Sequence, residues 1–230
     1  MKITAIVAEY NPLHRGHQYH IKKTREATDC DYLIAIMSGN FTQRGECAIF
    51  DKWARTRMAL DAGADLVVEL PVTYAAASAE RFARGAVEIL SALGCVDFLS
   101  FGSETAQLRN LQPLASILER EPWEFGRALQ GELKKGVSFP AARQAALAAV
   151  LSEEAAALLA SPNDILAVEY LKALIHFDSR IRPVAILRRG AGYQMCIRDS
   201  LKGVVHQNLH HAFLKGGRNV RRGDALASLL

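Results

Sequence analysis

Through the first hundred positions, short apolar runs alternate with longer stretches in which apolar residues recur every three or four places. Ile3 to Ala8 reads as a buried strand and His17 to Ala27 as an amphipathic helix. Tyr32 to Met37 is a second strand, followed by a long loop from Ser38 to Ile49. Asp51 to Ala62 reads as a helix with Asp51 near its start. Leu66 to Leu70 is a strand stopped by Pro71, Ala76 to Leu93 a helix ended by Gly94, and Val96 to Phe101 another strand. Strands separated by helices of this length need crossover connections. The predicted fold class is therefore α/β, a Rossmann-like, doubly wound parallel sheet with ligands at the carboxyl ends of its strands.

From Leu108 to Ile175 the pattern is mainly helical, and Arg182 to Leu187 returns as a late strand. Ser161-Pro162-Asn163-Asp164 reads as a cap before a helix from Ile165 to Ile175, because such side chains satisfy otherwise orphaned amides. The expected organisation is a Rossmann-like nucleotide-binding core over 1–107 and a mainly helical portion over 108–194. No internal repeat or low-complexity linker interrupts it.

The 230 residues suffice for one α/β domain with a helical appendage. No run approaches the roughly 20 apolar residues of a membrane span. Four scattered cysteines with no CxxC pair suit reduced thiols, so a cytoplasmic protein is expected. The net charge of +4 would invite a nucleic-acid reading, but its location weakens it. Positions 201–230 hold five Lys/Arg and one acid, and 1–194 holds 22 of each sign, so any RNA site on the main body must be a local patch.

The chemistry-bearing stretch is Ala8-Glu9-Tyr10-Asn11-Pro12-Leu13-His14-Arg15-Gly16-His17, where the first strand hands over to a helix. A helix start offers unpaired amides and a partial positive charge. Gly16 lets a phosphate approach the backbone. His14 and His17 can donate to phosphate oxygens as charge shifts toward a leaving pyrophosphate, and attack on an α-phosphate needs mainly positioning and charge stabilisation. The plainer alternative makes one histidine a polar helix-start residue and leaves the other in solvent. Two histidines are too few ligands for zinc, so no metal site is expected.

The stretch from Glu9 to His20 resembles the opening of the tRNA(Met) cytidine acetate ligase family of HxGH nucleotidyltransferase-like proteins, where EYNPFHNGH is usual. Met37 to Glu46, Asp51-Lys52-Trp53, Gly63 to Pro71, Phe101 to Glu104, Ser161 to Tyr170 and Arg188 to Tyr193 extend the likeness to about residue 194. Departures are mild: Leu13 for Phe, Arg15 for Asn, and Arg189 where an aliphatic is common. The resemblance implies that ATP and acetate give acetyl-adenylate and pyrophosphate, and that the acetyl group passes to the wobble cytidine of elongator tRNA(Met). It makes His14 and His17 catalytic. It also assigns the nucleotide to the segment Ile6, Val7, Ala8, Glu9, Tyr10, Asn11, Pro12, Leu13, His14, Arg15, Gly16, His17, Gln18 and Tyr19.

By the same likeness Gly102, Asn163, Arg188 and Arg189 complete the ATP pocket, and Mg2+ is expected to balance the pyrophosphate charge. The alternatives are a turn glycine at 102, a helix cap at 163 and a surface base at 188. Gln43, Arg44, Lys52, Arg55 and Arg57 form a basic group around the long loop, a tRNA or phosphate candidate set unless they are a solvated face. Trp53 reads as core. No protein partner is inferred. A small-molecule nucleotidyltransferase and a non-catalytic nucleotide-binding module remain as rival readings.

After Tyr193 the likeness stops. Met195-Cys196-Ile197-Arg198-Asp199-Ser200 is the translation of ATGTGTATAAGAGACAG followed by C or T, the mosaic end of a transposon used in library preparation. Residues 195–230 are therefore expected to be a non-native tail. Its His206, His210 and His211 are not read as a metal site.

Overall fold

The computed structural model describes residues 1–188. Both faces of the first strand, β1 (Ile3–Ala8), are covered, as expected for a parallel sheet clothed by helices on both sides. In chain order there follow α1 (Arg15–Thr28), β2 (Tyr32–Ser38), α2 (Lys52–Asp61), β3 (Leu66–Leu70), α3 (Val72–Ala75), α4 (Ala79–Leu93) and β4 (Phe98–Ser103). The helical stretch comprises α5 (Leu108–Arg120), α6 (Trp123–Leu133), α7 (Phe139–Val150), α8 (Glu153–Ala157), a 3-10 turn (Leu158–Ala160) and α9 (Pro162–His176). It returns to the sheet through β5 (Arg182–Leu187).

The sheet has the order β3-β2-β1-β4-β5 and all four pairings are parallel. The chain winds outward from β1 through β2 to β3, then crosses to β4 and β5. The switch point thus lies between the carboxyl ends of β1 and β4, where an open α/β sheet leaves a crevice for ligand. On one face, Ile6, Leu33, Ala35 and Met37 meet Tyr10, Leu13 and Ile21. On the other, Ile3, Ala5, Ile36, Leu99 and Phe101 meet residues of α4, α5 and α9.

Several boundaries differ from the sequence expectation, each for a local reason. Helix α1 begins at Arg15 rather than His17, because His14 caps it. The helix expected from Ala76 begins instead at Ala79, with Ser78 capping α4 from outside through its acceptance of the Arg81 N–H, and the short α3 before it is unexpected. The preceding α3 sits against α4 at Gly85, where a β-carbon would run into the Tyr74 ring. Strand β4 lies two residues later than expected, since Asp97 is engaged at the amino end of the two central strands, its carboxylate accepting the Ile3 N–H at 2.8 Å. Helix α9 begins at Pro162, three residues earlier than expected, and the Ser161 side chain makes no capping bond.

The largest correction concerns α2. Trp53, expected in the core, is 68% exposed, whereas Arg55 is 0% exposed. The Arg55 guanidinium donates to the carbonyls of Phe50 (3.0 Å), Glu9 (2.6 Å), Ser38 (3.1 Å) and Gly39. It satisfies carbonyls that the ends of β1 and β2 and the following loop would otherwise leave buried and unpaired. Arg55 is therefore withdrawn from the nucleic-acid candidates, having no surface to offer. Arg55→Leu should destabilise the fold by about 3 kcal/mol or more, because several buried acceptors lose a charged donor together. Urea unfolding of the two chains measures this directly; a loss under about 1 kcal/mol would contradict the role.

Candidate nucleotide site

The turn between β1 and α1 is built by its own side chains. Tyr10 takes a left-handed backbone (φ 50) and is buried, and the Asn11–Pro12 bond is cis. The Asn11 side-chain carbonyl accepts the Ile49 N–H at 2.7 Å, which ties this turn to the long loop after β2. His14 then caps α1, its Nδ1 accepting from the Gly16 N–H at 3.0 Å. His17, in the first turn of the helix, accepts the His14 N–H through its own Nδ1 at 3.2 Å. The pair forms a reciprocal capping box in which histidines occupy both positions. Their rings stack with centroids 3.7 Å apart, and the Tyr10 ring meets His17 edge-on at 5.0 Å.

This geometry fixes protonation as well as position. An Nδ1 that accepts an amide proton carries no proton of its own, so a neutral ring must bear its hydrogen on Nε2. Burial lowers the pKa of both rings; the Arg188 cation adds to the effect at His14, and His14, His20 and Arg188 add to it at His17. Burial followed by Arg188 lowers His20 to about 4. All three are neutral near pH 7. Gly16 has a further reason to lack a side chain, since a β-carbon there would lie 2.8 Å from His14 Cε1. His20 Nε2 lies 3.2 Å from Ser100 Oγ, which in turn lies 2.7 Å from Thr24 Oγ1, so α1 is pinned along β4.

Across the switch point, Gly102 pairs with Ile186 in the ladder, and a β-carbon on it would press at 3.4 Å on Arg188 Cγ. Asn163 lies in the first turn of α9, and its side-chain Nδ2 donates to Glu104 Oε1 at 2.6 Å. Glu104 also accepts the Asn163 and Asp164 N–H groups, at 3.2 and 2.9 Å, and Arg188 Nη1 lies 3.9 Å from its Oε1. Glu104 thus does from the end of β4 the capping that Ser161 was expected to do. It also gathers Asn163 and Arg188 beside Gly102. Sequence reasoning missed it, since nothing local says that an acid at a strand end meets a helix start 59 residues later. Arg189 lies outside the described residues.

The remaining candidates are dispersed. Ile6, Tyr10, Pro12 and Leu13 are buried, Val7, Ala8, Glu9, Asn11 and Tyr19 are half-buried, and Arg15 and Gln18 are exposed. Gln43 is half-buried with its N–H on Glu9, while Arg44 and Arg57 are exposed. Lys52 pairs with Glu69 at 2.6 Å and lies over the Trp53 ring. Among the described residues no cluster of three His, Cys, Asp or Glu could hold a metal ion, and no helix is long and apolar enough to cross a membrane.

With two histidines capping a helix start at the sheet's switch point, the comparison with known proteins is decisive for the family. The model of the HIGH Nucleotidyl Transferase family matches residues 1–201. The chain belongs to the HIGH nucleotidyl transferase family. The tRNA(Met) cytidine acetate ligase of Thermoanaerobacter sp. (strain X514) is 52% identical over 194 residues, 84% of this chain and 48% of that protein. The protein of the same name from Clostridium novyi (strain NT) is 48% identical over 195 residues, with 84% and 49% covered. A crystal structure of Thermotoga maritima TmcAL bound with alpha-thio ATP superposes with a TM-score of 0.82 at 44% identity, over 91% of this chain and 52% of that one. The chain spans about half the length of the curated relatives it matches.

The neutral histidines of this HIGH-family site carry a pH consequence. Their folded pKa values lie below the ordinary 6.5, so below that pH the unfolded chain takes up protons that the native chain refuses. Stability is fully present above about 6.5 and falls as pH drops toward about 4. The urea midpoint should fall between pH 6.5 and 5, and His20→Gln should shallow that fall. An equally steep fall in the variant would contradict the burial argument.

Proposed function

We propose that the chain is the nucleotide-activating portion of an ATP-dependent ligase that makes acetyl-adenylate and acetylates the wobble cytidine of elongator tRNA(Met). The observation that carries this reading is the histidine pair at the start of α1, in a chain about half identical to tRNA(Met) cytidine acetate ligases. ATP is the nucleotide favoured by the likeness to the alpha-thio ATP complex. Acetate attacks the α-phosphorus, a C–O–P linkage forms, and pyrophosphate leaves with the electron pair of the broken P–O bond. The Nε2–H groups of His14 and His17 donate to the phosphate oxygens on which charge accumulates, and the amides of the first turn of α1 add to them.

The segment from Ile6 to Tyr19 wraps the nucleotide. Gly102 lies beneath the adenosine, and Asn163, Arg188 and Arg189 complete the pocket. Asn163 and β5 belong to the portion that follows residue 107, which makes that portion part of the site. Mg2+ would enter with ATP, held mainly by the phosphates and water, and would balance the charge of the leaving pyrophosphate. Arg44 and Arg57, with Gln43 and Lys52 nearer the turn, face the RNA. The working compartment is the cytoplasm.

In the second step the cytidine N4 attacks the acetyl carbonyl and AMP departs. ATP–pyrophosphate exchange should require acetate, and His17→Ala should lower it by about 10²–10³-fold, the range for loss of one charge-stabilising donor. Exchange that proceeds with a phosphate ester in place of acetate would overturn the reading in favour of small-molecule nucleotidyl transfer.

A further inference from the structure

Glu9 is a carboxylate next to the phosphate-binding turn that phosphate binding does not explain. Ile3, Ala5 and Val7 of β1 pack toward the α4 and α9 face, and Glu9 follows in that alternation at the carboxyl end of the sheet. Its Oε1 accepts the Gln43 N–H at 2.6 Å, and its main-chain carbonyl shares the Arg55 Nη1 with the carbonyl of Ser38. The segments meeting here carry polar atoms without partners among the described residues. These are Ser38 Oγ on β2, Thr42 Oγ1 and Gln43 Nε2 on the following loop, and the Tyr170 hydroxyl on α9. Tyr170 is 2% exposed, its ring stacked on Phe101 at 5.7 Å, and burial and then the Glu9 charge push its hydroxyl pKa up.

Buried polar atoms left unpaired cost free energy, and such a group in one neighbourhood calls for a ligand. The donors and acceptors describe that ligand. A carboxylate repels acetate and phosphate but accepts from an amine. The Gln43 amide can donate to a ring carbonyl, and the Tyr170 hydroxyl can serve a ring nitrogen. Cytosine presents these three groups in a row along its pairing edge. Uracil replaces the amine by a carbonyl, which the carboxylate would repel.

We propose that Glu9, Gln43 and Tyr170 form the acceptor subsite, which takes an amine-bearing pyrimidine and in which Glu9 removes the proton of the attacking amine. The inference rests on the ligase reading and deepens it. The amine lone pair attacks the acetyl carbonyl carbon and a C–N bond forms. The C–O bond to the phosphate of AMP breaks, AMP leaves with the electron pair, and the amine proton passes to the Glu9 carboxylate. The Gln43 N–H holds that carboxylate in place. A positioned base of this kind contributes about 10²–10⁴-fold.

Calorimetric titration of the chain with CMP and with UMP, each under a saturating non-hydrolysable ATP analogue, tests the subsite without turnover. CMP should bind at least tenfold more tightly than UMP, and Glu9→Gln and Tyr170→Phe should each reduce that preference. Equal binding of the two nucleotides, or an unchanged preference in Glu9→Gln, would overturn the proposal. In the full reaction, Glu9→Gln should depress acetyl transfer to tRNA at least 100-fold more than it depresses acetate-dependent pyrophosphate exchange. An equal fall in both would make Glu9 part of the activation step or the scaffold instead. Absence of acetate-dependent exchange in the unsubstituted chain sinks the ligase reading itself, since exchange precedes any use of the acceptor.

Discussion

Two imidazoles closing the first turn of α1 set the terms for the whole site. Each gives its Nδ1 to a main-chain amide of the turn, so each neutral ring carries its proton on Nε2, and burial favours the neutral form of both. A histidine that merely sat near phosphate could rotate, change tautomer or protonate. The reciprocal cap removes those freedoms by committing two side chains to the backbone. Gly16 belongs to the same arrangement, because the space its missing β-carbon would need is filled by the His14 ring. In the proposed reaction, donors fixed in this way before the substrate arrives would need no reorganisation as charge develops.

Two charged anchors, Arg55 buried and Glu104 half-buried, carry that turn into the rest of the fold. Arg55 collects carbonyls from the ends of β1 and β2 and from the loop between β2 and α2, so the start of the histidine turn and the loop beside it are tied together. Glu104 does the corresponding work across the switch point, capping α9 and drawing Asn163 and Arg188 toward Gly102. The helices between β4 and α9 thereby serve a definite end. They return the chain so that α9 packs on the sheet and β5 extends it, with Arg188 at its end next to the histidines that its charge affects.

Hydrophobic period and the residues that punctuate it make the sheet legible in the sequence. The strands β1, β2, β3 and β5 lie where apolar runs place them, and the parallel, doubly wound class follows from their spacing. What the sequence conceals is long-range partnership. Trp53 and Arg55 are two residues apart on one helix, and ordinary hydrophobicity orders them the wrong way round, because only the assembled loop reveals the carbonyls waiting for a guanidinium. Glu104 is equally hidden, as its partners are brought to it by topology. His14 and His17 stand out in the sequence as a phosphate-site candidate, but their mutual capping depends on the helix starting two residues earlier than its apolar period suggests.

The most direct test of the account is the tautomeric state of His14 and His17. Long-range 1H–15N spectra of histidine-labelled protein near pH 7, without nucleotide, should show both rings neutral with the proton on Nε2. Adding MgATP should then shift those Nε2 resonances. Rings that are cationic, or that carry the proton on Nδ1, would contradict the reciprocal cap and the role built on it.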